Sequence, residues 1–96
     1  MNTEQYLLVK LAEEAAEVAQ IAIKCAQFGL TEVYPEAGTP NVDRLFGEMN
    51  DLLGVFAVLH LEEVFSWLPD QSQITAKKDK IYKYLEYSRS LGQTGV

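Results

Sequence analysis

Two acidic pairs with the same spacing stand out in this 96-residue chain: Glu14 with Glu17, and Glu48 with Asp51. On a helix, residues three apart share a face, with Cβ atoms roughly 5–6 Å apart. Four carboxylates gathered from two such helices suit Mg²⁺, a hard cation that takes octahedral oxygen ligands and keeps positions open for water and phosphate. Several such ions can bridge a polyphosphate while one activates water to cleave a phosphoanhydride. Without cations the same cluster is costly, because buried like charges repel and force protonation.

An acid pair at this spacing is ordinary surface decoration unless its surroundings are apolar. On a wheel of about 100° per residue with Leu7 at zero, Leu7, Leu11, Ala15, Val18, Ala22 and Cys25 form an apolar stripe between about 0° and 80°. Glu14 falls at about 340°, on the edge of that stripe, with Glu17 one step further round at about 280°. Glu13, at about 240°, faces water with Gln20 and Lys24. In the second segment the stripe is Leu45, Met49, Leu52, Phe56 and Leu59. With Leu45 at zero, Glu48 lies at about 300° and Asp51 at about 240°, both among apolar neighbours. Solvated acids prefer the opposite face.

Three segments are predicted to be helices. The first runs from about Thr3 to Phe28, with Asn2 and Gln5 spaced as a capping box and Gly29 as a stop. Residues 29–41, GLTEVYPEAGTPN, hold two Gly and two Pro and read as a loop. Thr39 with Pro40 at the first helical position, or Asn41, opens the second helix, which is expected to reach about Phe65. WLPDQSQ then breaks the pattern. Asp70 or Ser72 caps a third helix that ends near Leu91, ahead of Gly92. There is no strand alternation, repeat or linker. The expected fold is all-α: one domain over residues 1–96, a helical bundle of two long helices plus a third. A chain this short has a modest core, and its apolar content favours completion by homo-oligomerisation.

Several chemistries drop out. The one histidine, His60, lacks the Glu-x-x-His partner of di-iron bundles, and zinc hydrolases need more histidines. His60 reads as a packing or interface residue and Cys25 as an inert core thiol. There is no Walker-type phosphate loop. Net charge is −6, with 3 basic and 12 acidic side chains in residues 1–70 and 5 basic and 2 acidic in residues 71–96. That balance argues against stable nucleic-acid binding. A lone cysteine, no basic leader before an apolar run and no apolar stretch of bilayer length point to a reduced, cytoplasmic setting without membrane contact.

The order and spacing of Glu14-x-x-Glu17, within LAEEAAEVAQIAIK, and Glu48-x-x-Asp51, within RLFGEMNDLLGVFAVL, resemble the metal signature of the all-α NTP pyrophosphatase superfamily. That group includes MazG-like nucleotide pyrophosphohydrolases, dimeric dUTPases and phosphoribosyl-ATP pyrophosphatases. The likeness covers about half of the chain. It implies that Glu14, Glu17, Glu48 and Asp51 are the catalytic, metal-binding residues, with Mg²⁺ as cofactor and Mn²⁺ able to replace it. It implies hydrolysis of an NTP or dNTP to the monophosphate and pyrophosphate, in a homodimer or homotetramer that can build one site from two subunits. By the same likeness, the third helix, KKDKIYKYLEYSRSLG, is the place for phosphate contacts from Lys77, Lys78, Lys80 or Arg89. The loop 29–41 and the break 66–73 have no counterpart; either suits a lid or an intersubunit contact. Arg44 is expected to pair with Glu48 on the helix surface. Two rivals stand beside this expectation: a phosphoribosyl-ATP pyrophosphatase, and a non-catalytic helical oligomerisation module.

Overall fold

A computed structural model describes residues 1–95 as three α-helices. These are α1 (Thr3–Phe28), α2 (Asn41–Leu61) and α3 (Gln71–Ser90). The all-α reading holds. The capping box forms as expected: the Gln5 amide donates to Asn2 Oδ1 at 2.8 Å, and the Asn2 amide donates to Gln5 Oε1 at 2.9 Å. At the other end of α1, Gly29 adopts φ 102°, a conformation that favours glycine. The N-cap of α3 is Asp70, whose Oδ1 accepts from the amides of Ser72 and Gln73.

α2 stops at Leu61, four residues short of the expected Phe65. The next two residues are Glu62 and Glu63, and negative charge opposes the negative end of the helix dipole. Glu63 takes φ 58°, which ends the helix, and the chain turns so that His60 Nδ1 meets Ser66 Oγ at 2.7 Å. Trp67 then lies against Phe56, with ring centroids 5.2 Å apart. His60 is exposed, so its part is to hold this turn rather than to fill the core.

α1 and α2 form an antiparallel pair joined by the 29–40 loop. Asn41 clips the loop end of the pair. Its side-chain Nδ2 donates to the Gly29 carbonyl at 3.1 Å, and its backbone amide donates to the Glu32 carbonyl at 2.9 Å. At the far end, Leu7 and Val58 line one hollow. Between them the seam is built from Leu7, Leu11, Val18, Ile21 and Cys25 of α1 and Leu45, Leu52, Val55, Phe56 and Leu59 of α2, all buried or half-buried. This differs from the expected stripes. Ala15, Ala22 and Met49 are exposed, whereas Ile21 is buried. The larger side chains decide which way a helix turns, because they remove more apolar area from water. The buried line of α1 is therefore centred on about 0° rather than 40° of the wheel.

α3 stands apart. It packs on neither α1 nor α2 and contains no buried residue. Ile74, Ile81, Tyr82, Tyr84 and Tyr87 are all exposed. In consequence the Cα radius of gyration is 17.0 Å, against about 12.5 Å for a compact domain of this length. The accessible surface is 7565 Å², about 2000 Å² more than the roughly 5500 Å² of a compact monomer of this mass.

Leu59 is fully buried, with 0% exposure, and Met49 is 47% exposed. Leu59→Ala should cost about 2–5 kcal/mol in urea unfolding, whereas Met49→Ala should cost well under about 1 kcal/mol. Equal losses would mean that the seam is not centred where the structure places it.

Candidate metal centre

Because Glu14 lies at about 340° on the α1 wheel and Glu48 at about 300° on that of α2, both fall inside the buried stripes that join the helices. The antiparallel pairing sets them across the seam from one another. Carboxylate oxygens of Glu14, Glu17 and Glu48 lie within 4.8 Å of one another. Glu14 and Glu48 are half-buried, while Glu17 is exposed at the rim. Asp51 is exposed and lies outside this group of three, yet its charge acts on both Glu14 and Glu48. It lines the same hollow as Glu14. The structure thus brings together three of the four expected acids and sets the fourth beside them. Glu13 faces solvent and pairs with Lys10 at 3.0 Å, as its side of the helix dictates.

Glu14 Oε2 and Glu48 Oε2 are buried and accept no hydrogen bond. Buried carboxylate oxygens normally have partners, since an unmet acceptor loses its water for nothing in return. Burial, followed by the negative charge of Glu17, holds the Glu14 carboxyl above its usual range. For Glu48 the leading cause is proton sharing with Glu17, followed by burial and by the charges of Glu17, Asp51 and Glu14; it too is held high. A divalent cation with oxygen ligands would offset each of these causes by favouring the ionised carboxylates. The residues fit such an ion: three carboxylates converge from two helices, and two of them present orphaned oxygens.

Along the seam, hollows flank the cluster. Toward the loop, Glu17 and Glu48 line a cavity of about 240 Å³ with Gln20, Ile21, Lys24 and Arg44. Lys24 and Arg44 are the cations of this cavity, while Lys10 lines the hollow on the other side with Glu14 and acts on its charge. The expected Arg44–Glu48 ion pair does not form; Arg44 Nη1 instead donates to Asn41 Oδ1 at 3.5 Å. Neither helix alone shows that these two cations share a cavity, although the spacing carries one signal. Lys24 is two turns beyond Glu17, and Arg44 one turn before Glu48.

Lys77, Lys78, Lys80 and Arg89 are all exposed on α3, away from the carboxylates of their own chain, and Arg89 pairs with Glu86 at 2.7 Å. Within one protomer they are not brought to the cluster. Cys25 is half-buried on the seam, as its stripe position implies. Among the described residues no helix is long and apolar enough to cross a membrane. No protein-family model, curated protein or solved structure matches the chain.

A carboxyl held above its ordinary 4.5 binds its proton more tightly in the folded than in the unfolded chain. Its contribution to stability is present at low pH and is lost as pH rises from 4.5 through the raised value. Metal-free protein should therefore lose melting temperature relative to Glu48→Gln as pH is raised from about 4.5 to neutrality. Mg²⁺ or Mn²⁺ at neutral pH should restore it in the wild type and do less in the variant, because an ion bound only by the folded state stabilises it. Parallel pH profiles in EDTA, with no difference in metal response, would show that the acids are independent surface groups.

Proposed function

We propose that the chain is a Mg²⁺-dependent nucleotide pyrophosphohydrolase that cleaves an NTP or dNTP to the monophosphate and pyrophosphate. The observation that carries this is the convergence of Glu14, Glu17 and Glu48 within 4.8 Å, with buried oxygens of Glu14 and Glu48 left without partners. Burying like charges at the one helix seam works against the fold, and a cation-requiring reaction is a reason for such an arrangement. The sequence likeness of the two acid motifs to all-α NTP pyrophosphatases supports the same reading.

Magnesium held there would neutralise the polyphosphate and lower the pKa of a water near the scissile phosphorus. Glu14 and Glu48, half-buried on the seam, would be the inner ligands of such an ion. Glu17 and Asp51, exposed at the rim, are free to adjust as a substrate arrives. A carboxylate in that position can also accept a proton from the attacking water. The lone thiol and the absence of a membrane-crossing helix among the described residues accord with a cytoplasmic enzyme.

The same proposal includes self-association. An excess of about 2000 Å² of exposed surface per chain is what an obligate interface would cover. α3, with apolar side chains and no partner in its own chain, is the element most in need of one. Docked on a second protomer, it would bring Lys77, Lys78 or Lys80 within reach of the partner's carboxylates. Sedimentation should give the mass of two or four 10.8 kDa chains. A single-chain mass at micromolar concentration would refute this part.

The activity is tested by pyrophosphate release from NTPs, dNTPs and phosphoribosyl-ATP, with and without Mg²⁺. Metal-dependent release that drops by about 10²-fold or more in Glu48→Gln is expected. Release from phosphoribosyl-ATP alone would narrow the enzyme to that substrate. No release from any of them, at concentrations where the protein is associated, would sink the enzymatic reading.

A further inference from the structure

A second cavity, of about 410 Å³, adjoins the one beside the carboxylates. It is lined by Lys24, Phe28, Glu32, Tyr34, Asn41 and Arg44, so Lys24 and Arg44 belong to both cavities. Together they make one track with three chemistries in order. The carboxylate cluster stands at one end, two cations in the middle, and two aromatic rings at the loop end, where Glu32 also lines the wall.

The order follows from the helix register. On the α1 wheel, Glu17, Lys24 and Phe28 fall within about 40° of one another, at roughly 280°, 260° and 300°. From α2, Glu48, Arg44 and Asn41 face them in reverse order, because the helices are antiparallel. Glu17 to Phe28 is eleven residues, a rise of about 16 Å. That is the reach of an extended nucleoside triphosphate from its phosphates to its base.

The middle and far ends are free to bind. Neither Lys24 nor Arg44 forms an ion pair with an acid among the described residues. Arg44 Nη1 lies 3.5 Å from Asn41 Oδ1, a long contact, and Asn41 is itself 2% exposed and tied to Gly29. Phe28 and Tyr34 are 65% and 52% exposed, although large aromatic side chains ordinarily gain by burial. Aromatic faces exposed beside unpaired cations suit a stacked base next to phosphates.

We infer that the cavity lined by Lys24, Arg44, Phe28 and Tyr34 is the nucleotide-recognition half of the site. Lys24 and Arg44 take the phosphates that lie beyond the metal cluster. Phe28 and Tyr34 take the base by stacking. This assignment rests on the pyrophosphohydrolase reading and sharpens it: the ligand is a nucleoside triphosphate laid along the α1–α2 seam with its base toward the 29–40 loop. Phosphate contacts within the protomer then come from the paired helices, not from α3.

Calorimetry in Mg²⁺ tests it, using two probes: inorganic tripolyphosphate and a set of α,β-methylene nucleoside triphosphates. Phe28→Ala and Tyr34→Ala should weaken nucleotide binding on the order of tenfold to a hundredfold and leave tripolyphosphate binding unchanged. Lys24→Gln and Arg44→Gln should weaken both probes by about tenfold or more. The four side chains are exposed or half-buried, and a melting curve of each variant is the control for folding. If wild-type protein binds both probes and loses them in Glu48→Gln, but the four variants bind like wild type, the base lies elsewhere. In that case this inference falls while the functional reading stands. A changed oligomeric mass in Phe28→Ala or Tyr34→Ala with nucleotide affinity intact would overturn it too, assigning the rings to a contact between copies. Wild-type protein that binds neither probe in Mg²⁺ would refute both readings.

Discussion

Like-charge repulsion across the α1–α2 seam constrains everything else in this chain. Glu14 and Glu48 sit in the same stripes that supply its few buried side chains, Leu7, Ile21 and Leu59. The apolar contacts that close the seam therefore also press two carboxylates together. Both carboxyls are held above their usual range, Glu14 first by burial and then by Glu17, and Glu48 first by its hydrogen bond with Glu17 and then by burial. A bound cation would turn the conflict into an attraction, and the apolar and electrostatic terms would then favour the same helix separation. This is why the orphaned oxygens carry more weight than the count of acids in the sequence. Acids on a solvated face would have cost nothing and would have implied nothing.

The seam can tolerate that conflict only because the rest of the pair is well determined. α1 is closed by a reciprocal cap at Asn2 and Gln5 and by a glycine stop at residue 29. Asn41 fixes the start of α2 against the end of α1, with its side-chain amide and backbone amide both engaged. By contrast α3 has sound caps and no packing partner. Its helical state depends on local propensity and the Asp70 cap, which alone leave an isolated helix of 20 residues marginal in water. The self-association proposed above would supply the covering surface that its own chain does not.

Signals that were local in sequence were legible. The bounds of α1 and the stop near Gly92 depend on a few neighbouring residues and are legible in them; the N-cap of α3 is narrowed by the same means to Asp70 or Ser72, and the structure selects Asp70. The two acid pairs were legible for the same reason, since spacing and face are properties of one helix. Two kinds of feature were not. The end of α2 depends on Glu62 and Glu63 opposing the dipole and on a turn tied by His60 to Ser66, and an apolar pattern continuing through Val64 and Phe65 conceals it. The centre of the α1 stripe depends on which side chains win the competition for burial; Ala15 and Ala22 match the pattern yet have too little area to set it. Relations across elements were further out of reach. That Lys24 and Arg44 converge follows only once the helices are antiparallel and in register. That α3 leaves the pair is decided by the chain between Leu61 and Gln71, where no periodic signal operates.

The Asn41 clip has a mechanical corollary. It pins the helices at their loop end, so any opening of the pair is a rotation about that end rather than a uniform separation. Measured from Gly29, Glu17 lies about 18 Å along α1 and Leu7 about 33 Å. A small widening between the carboxylates is therefore nearly doubled at the far tip, where Leu7 meets Val58. The pair is a lever with its fulcrum at Asn41. What happens to charge at the acids is felt most strongly at the end of the hairpin that carries no acid of the cluster.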